Sequence, residues 1–344
     1  MRDLTKLNKS KKKAIILRGS RCFGDMIMVS WVPKVLKQKR NYQEVKVASW
    51  KANSFIFDNN PFVDEVIILD DIKLDEYEQV KTKWEIEHDY YDFRFTCEFK
   101  FLKNSSDNII PVDDLRRNSR GKNYYKDGLS AFGLEGEKGD LYLSSEEKEK
   151  VKRIKSDKSK KVLWQLRGAG RNKFLMYGIY YINEIIKRMP NAEHWLFDDV
   201  NDAFSGLRQG KIRDMRGKLK PREALALVPA FDLVIGPESF LTNVAGAFDI
   251  PVMIFYSHSA PENLGRYFKY HYPIVPNCDC HPCYHIIKDW RQFYNLKERR
   301  KALDFENKCL LRDPKDVFKT LGFRCCVELN HELIINQIIN ILQE

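Results

Sequence analysis

Short apolar runs recur along this chain, each closed by a turn and followed by a stretch with helical spacing. Residues 13–18 (KAIILR) form a brief isoleucine-rich run ended by Gly19, which predicts a buried strand. A turn over 19–25 and a helical stretch to about residue 39 come next, with Pro33 expected to kink it or start a new turn. Residues 44–50 (EVKVASW) alternate as a second strand, and 66–69 and 91–97 (YDFRFTC) predict two more. Residues 122–134 read as a helix with Gly133 near its end. The second half repeats the rhythm: strands at 161–166 (KVLWQL), 193–197, 232–236 (DLVIG) and 251–255 (PVMIF), with helices at 177–188, 221–229, 240–248 and 332–342 between or after them.

Strands alternating with helices predict parallel sheets built from βαβ units, hence an α/β chain of two Rossmann-like doubly wound domains. The charged stretch 143–161 reads as a helix and linker. The expected boundaries are 1–145 for the first domain, 146–160 for the linker and 161–344 for the second. In such sheets ligands bind outside the carboxyl ends of the strands. The turns at 19–25, 167–173 and 236–239 all come after strands, and they surround one central cleft if the domains face each other.

Composition changes this picture little. With 344 residues, 43% hydrophobic and 12% aromatic, the chain has enough apolar side chains for two cores. No run of about 18 apolar residues exists, so no membrane-spanning helix is expected. The apolar run after the basic start is too short for a signal peptide, and a cytoplasmic protein is expected. Charge matters more. Residues 1–40 carry twelve Lys and Arg against two Asp, a surplus of ten in a chain of net charge +11. Such an end attracts polyanions, whether nucleic acid, anionic lipid at a membrane periphery or a phosphorylated glycan, unless it is simply a solvated tail.

Three turns carry candidate chemistry. Asp25 stands at the head of a helix, either capping it or acting as a general base that takes a proton from an acceptor hydroxyl. In the loop 167–173 (RGAGRNK), small residues admit close approach, and Arg167, Arg171 and Lys173 suit a diphosphate leaving group. In the turn at 236–243, Ser239, Thr242 and the first amides of a helix can meet an anion, and Glu238 can accept from sugar hydroxyls; Ser239 as a plain N-cap is the alternative.

These segments together resemble glycosyltransferase family 9, the ADP-heptose lipopolysaccharide heptosyltransferases. The resemblance runs through Ile16-Leu17-Arg18, Gly24-Asp25 and Pro33-Lys34-Val35-Leu36, then Asn60-Pro61-Phe62-Val63-Asp64-Glu65-Val66. It continues through Arg222-Glu223-Ala224, Phe231-Asp232-Leu233-Val234-Ile235-Gly236, Val244-Ala245-Gly246-Ala247, Pro251-Val252 and Pro261-Glu262-Asn263-Leu264-Gly265-Arg266-Tyr267. It implies a GT-B fold, with the first domain on the acceptor side and the second binding a nucleotide-sugar donor. It implies inverting transfer without a catalytic metal, Asp25 as the base, Lys173 on the donor phosphates and the turn from Glu238 to Thr242 around the donor. The turn departs from the family's Asp-Thr-Gly-(Pro/Leu)-x-His: it reads Glu238-Ser239-Phe240-Leu241-Thr242-Asn243. The glycine is gone, and Asn243 cannot carry the charge of a histidine.

The eight cysteines include a C-x-C-x-x-C run, Cys278, Cys280 and Cys283, with Cys309 twenty-six residues further on. Four thiolates suit a closed, structural zinc or iron site in an insertion around 276–312, with His281, His285, Cys325 and Cys326 as substitute ligands; a set of reduced, partly buried thiols is the alternative. Between them, 284–301 interleaves aromatic and basic residues, either as an amphipathic helix or as a nucleic-acid contact. The acceptor of a sugar transferase with these features is a phosphorylated glycan, a protein side chain or a hydroxymethylated DNA base. A non-catalytic GT-B-shaped protein that binds nucleotide or nucleic acid is the competing reading.

Overall fold

A computed structural model describes residues 12–17, 22–73, 75–92, 121–127, 133–168, 173–198, 212–283, 310–312 and 321–344. The basic start (1–11), Gly19, residues 93–97, Arg171, the 284–301 stretch and Cys309 lie outside the described residues. The chain divides into two compact units, Met1–Glu146 and Glu147–Glu344.

In the first unit β1 (Lys13–Leu17) pairs in parallel with β2 (Glu44–Ser49) and β4 (Asp89–Asp92), and β2 with β3 (Glu65–Ile68). The order β3-β2-β1-β4 puts the isoleucine-rich strand inside the sheet, where Ala14 to Ile16 are wholly buried. That is why the run is apolar on both faces. The helical stretch expected to reach residue 39 is two helices, α1 (Phe23–Ile27) and α2 (Val32–Arg40). Pro33 sits in the first turn of α2, where its missing N–H costs the helix nothing. Asn41, in the left-handed region at φ 58°, ends α2, and a backbone N–H at this cap reaches the Leu36 carbonyl. α3 (Tyr77–Glu87) lays Tyr77 and Trp84 on a core with Ile15, Leu17, Ala48 and Leu69.

Of the helix expected over 122–134, residues 128–132 lie outside the described residues, and residues 124–127 form a turn. The Asn123 side chain accepts from the Tyr125 and Lys126 amides at 3.0 and 3.1 Å, and the Asn123 amide donates to Asp127 Oδ2 at 2.6 Å. The Asp127 N–H also meets the Asn123 carbonyl at 2.8 Å, so Asn123 is bonded as a helix N-cap is.

The stretch expected as helix and linker begins as α4 (Ser145–Lys155). It is tied into the second unit by a paired contact between Glu147 and the Arg222 guanidinium at 2.6 and 2.7 Å. After it come β5 (Lys161–Trp164), α5 (Gly178–Arg188), β6 (Glu193–Leu196), β7 (Ile212–Asp214), α6 (Pro221–Leu227) and β8 (Leu233–Pro237). The chain continues through α7 (Phe240–Ala247), β9 (Val252–Phe255), α8 (Pro261–Leu264) and β10 (His271–Ile274). β11 (Leu310–Arg312) and β12 (Leu321–Phe323) form an antiparallel pair leading into α9 (Arg324–Val327) and α10 (His331–Gln343). The six-stranded sheet is parallel with order β10-β9-β8-β5-β6-β7. Trp164, Tyr181, Ile182 and Ile185 share a core with Ile334, Ile335, Ile338 and Leu342, so α10 covers α5 and the sheet.

The order runs outward in both directions from β5 and β8, so strand succession reverses between them. This is the switch point at which loops diverge and leave a crevice outside the strand ends.

Candidate functional site

The crevice is built from the segments that leave β5 and β8 at their carboxyl ends. Gln165 leaves β5 with 9% of its surface exposed and spans the gap. Its Oε1 accepts from the Leu241 amide at 3.0 Å, and its Nε2 donates to Ser239 Oγ at 3.2 Å. One side chain therefore satisfies an orphan N–H in the first turn of α7 and fixes the Ser239 hydroxyl. Gly236 makes this approach feasible: a Cβ there would lie 2.9 Å from the Gln165 carbonyl oxygen.

Ser239 is the N-cap of α7. Its amide donates to Thr242 Oγ1 at 3.1 Å, and Asn243 Nδ2 donates to its carbonyl at 2.6 Å. Thr242 and Asn243 are buried. The Ser239, Thr242 and Asn243 side chains thus brace the turn.

After β5 the chain doubles back: Gly168 N–H meets the Lys173 carbonyl at 2.7 Å and Leu175 N–H the Leu166 carbonyl at 2.8 Å. Arg167 faces solvent beside Phe174, with which it forms a β-bridge. Lys173 Nζ donates to the Glu238 carbonyl at 3.0 Å. A small solvent-open pocket adjoins it, lined mainly by apolar side chains such as Leu175, Pro237, Phe255 and Ile274, with Lys173 and Ser257 among its polar ones.

Glu238, expected to meet sugar hydroxyls, turns its carboxylate into the protein and is 5% exposed. It pairs with His258 Nδ1 and accepts from Ser259 Oγ, from Ser257 Oγ at 3.3 Å and from the His258 amide at 3.4 Å. Burial opposes its ionisation, but His258 and Lys173 outweigh burial and hold the carboxyl well below the usual range. Sequence reasoning missed Gln165 and the Ser257-His258-Ser259 segment. Their signal was position: both lie just past a strand of the same sheet at its carboxyl end.

In the first unit Asp25 lies in the first turn of α1, half-buried, where the helix dipole favours a carboxylate. The N-cap position belongs to Cys22, so Asp25 is not the cap. Burial, and secondarily the Asp25 carboxylate, push the wholly buried Tyr125 phenol far above its ordinary value. Tyr125 is thus a neutral neighbour of Asp25.

The described cysteines gather partly: Cys278 lies with Cys325 and Cys326, two of the expected substitute ligands. Cys278 is buried against Phe323, Cys325, Cys326 and Met176, while Cys280 is exposed. Burial, with Cys280 beside it, pushes the Cys278 thiol up to about 12. Among the described residues no group of three or more His, Cys, Asp or Glu side chains is placed to hold a metal ion. The expected set of four thiolates includes Cys309, which lies outside the described residues. Among the described residues, no helix is long and apolar enough to cross a membrane.

No family model matches the chain, and no curated protein matches it in sequence. Solved structures do match in shape. A family 9 glycosyl transferase from Veillonella parvula superposes with a TM-score of 0.65 at 13% identity, covering 97% of this chain and 98% of that one. The E. coli ADP-heptose LPS heptosyltransferase II gives 0.62 at 14% identity, covering 96% and 98%. The iron-containing dodecameric glycosyltransferase TibC from enterotoxigenic E. coli gives 0.57 at 15%, covering 96% and 76%. The chain therefore has the two-unit α/β fold of the family 9 glycosyltransferases and ADP-heptose heptosyltransferases, the GT-B fold that its motifs resemble.

Proposed function

We propose that this protein is a glycosyltransferase that moves a sugar from a nucleotide-activated donor to an acceptor hydroxyl, with inversion and without a catalytic metal. The observation that carries this reading is the switch-point crevice of the second unit, where Lys173 donates to the Glu238 carbonyl at the head of α7 and lines a pocket with Pro237 and Ser257. A heptosyltransferase of this fold, TibC, is known in complex with ADP-D-beta-D-heptose, which supports a nucleotide sugar as the co-substrate. In this reading Arg167, Arg171 and Lys173 offset charge on the departing diphosphate, and the turn from Glu238 through Ser239 and Thr242 to Asn243 holds the donor. Asp25 takes the acceptor proton as the acceptor oxygen bonds to the anomeric carbon, whose bond to the departing diphosphate breaks on the opposite side of that carbon. The basic first forty residues favour an anionic acceptor, a phosphorylated glycan or DNA carrying hydroxymethylated bases, over a protein side chain.

A thermal-shift screen against nucleotide sugars tests the donor site, since a ligand of the folded state alone raises the melting point. A shift with one nucleotide class supports the reading and names the base. Binding without turnover on any acceptor class would instead favour a non-catalytic binding protein. The iron in TibC supports a structural zinc or iron at Cys278, Cys280, Cys283 and Cys309 here. About one equivalent of metal, lost in Cys280→Ser, would support it; no metal in the purified protein would end it.

A further inference from the structure

Two polar groups that line the pocket, Lys173 and Ser257, both reach Glu238. Lys173 Nζ sits on its carbonyl at 3.0 Å, and Ser257 Oγ lies 3.3 Å from its carboxylate. A buried carboxylate at this place works against an anionic ligand. It repels the incoming charge, and it competes for the cation that the ligand needs. The groups that lower the Glu238 proton affinity by charge are His258 and Lys173. His258 is 4% exposed and pairs directly with the carboxylate, and Ser259 Oγ closes the other oxygen. With His258 in place Glu238 is compensated from below, and the Lys173 ammonium remains at the pocket. Without it the buried carboxylate keeps its hydroxyl and amide donors but loses its direct counter-charge, which is costly in the interior, and Lys173 is the cation left to turn towards it.

We propose that His258 is a positioning residue that supplies the counter-charge for Glu238 and thereby keeps Lys173 available to a diphosphate in the adjoining pocket. This rests on the reading of the second unit as a nucleotide-sugar site and specifies which residue makes it receptive to phosphate. Other titratable groups face the pair. His281 places Nε2 2.9 Å from the Ser259 carbonyl and senses the charges of Glu238 and Glu262 from α8.

The test compares charged and uncharged probes on the full chain. Dissociation constants are measured for ADP, UDP and GDP and for adenosine, uridine and guanosine, on wild type, His258→Gln and the double variant Glu238→Gln/His258→Gln. His258→Gln is expected to weaken the diphosphate that binds wild type by about tenfold or more, and to change its nucleoside by less than about twofold. The double variant removes the unpaired charge together with its partner, and is expected to regain most of the lost affinity even where His258→Gln folds poorly. An unchanged diphosphate affinity in His258→Gln, parallel loss of nucleoside and diphosphate, or a double variant no better than the single overturns the assignment while leaving the donor site standing. If no diphosphate binds wild type, the donor-site reading itself falls and this inference with it.

Discussion

Replacing Gln165 with alanine isolates what the switch point needs in order to hold its shape. The side chain is nearly buried and makes two hydrogen bonds, one accepting from the Leu241 amide at 3.0 Å and one donating to Ser239 Oγ at 3.2 Å. Leaving the buried Leu241 N–H without an acceptor costs about 1–3 kcal/mol, and losing the bond to Ser239 costs about 0.5–1.5 kcal/mol more. The expected destabilisation is about 2–4 kcal/mol. For a unit of this size each kcal/mol moves the melting point by about 2–4 °C, so the second unit's transition should fall by roughly 4–16 °C in calorimetry. Gln165→Glu is the control. It keeps an oxygen for the Leu241 amide, lets the Ser239 hydroxyl donate instead, and places its charge where the helix dipole favours it, so about 1 kcal/mol or less should be lost. A melting point within about 1 °C of wild type for the alanine variant, or a glutamate variant as unstable as the alanine one, would show that the first turn of α7 is satisfied by other means and refute the reasoning.

The same geometry sets three further outcomes. Asp25→Asn should lower transfer by about 100-fold or more, the usual contribution of a general base, while nucleotide binding is retained; full activity would remove Asp25 from the mechanism. Lys173→Ala should weaken nucleotide diphosphate binding by about tenfold or more in calorimetric titration, with the free nucleoside unaffected; equal loss of both would point to collapse of the loop instead. Acidification should destabilise the fold. Burial pushes His194 down to about 4, and the Trp164 indole donates to its Nδ1 at 3.0 Å, which requires the neutral ring. The unfolded chain binds a proton at this site from about pH 6.5 downward and the folded chain does not, so stability is constant above about 6.5 and falls between about 6.5 and 4, by up to about 3 kcal/mol. Urea titrations of His194→Phe should show a flatter profile over that window, and an identical profile would assign the acid sensitivity elsewhere.

The strands were the legible part of the fold because they sit inside parallel sheets and are covered on both faces. Val162, Leu163 and Trp164 in β5 and Leu233 to Ile235 in β8 are wholly buried, and so they read as continuous apolar runs. Asn123 accepts from the amides two and three residues ahead, and the turn it caps brings Tyr125 close to Asp25, a contact far apart in sequence. The break between α1 and α2 was signalled by Pro33, but spacing alone could not say whether a proline would kink one helix or open a second.

The candidate site was legible only as far as it kept to the local chain. Each turn identified from the sequence is a local feature, a strand end with glycine, cations or a capping residue. What organises the second unit is contact between strand ends far apart in sequence, and nothing in the spacing announces it. Glu238 is the instructive case. Read alone, it replaces an aspartate of the resembled motif and offers two oxygens to a sugar. In the fold, its longer side chain turns inward to His258, Ser257 and Ser259, which lie just past the neighbouring strand β9. The glutamate and the Ser-His-Ser segment therefore work as one unit in this fold. A carboxylate that reaches the interior needs a cation waiting there, and His258 stands at a strand end close enough to meet it.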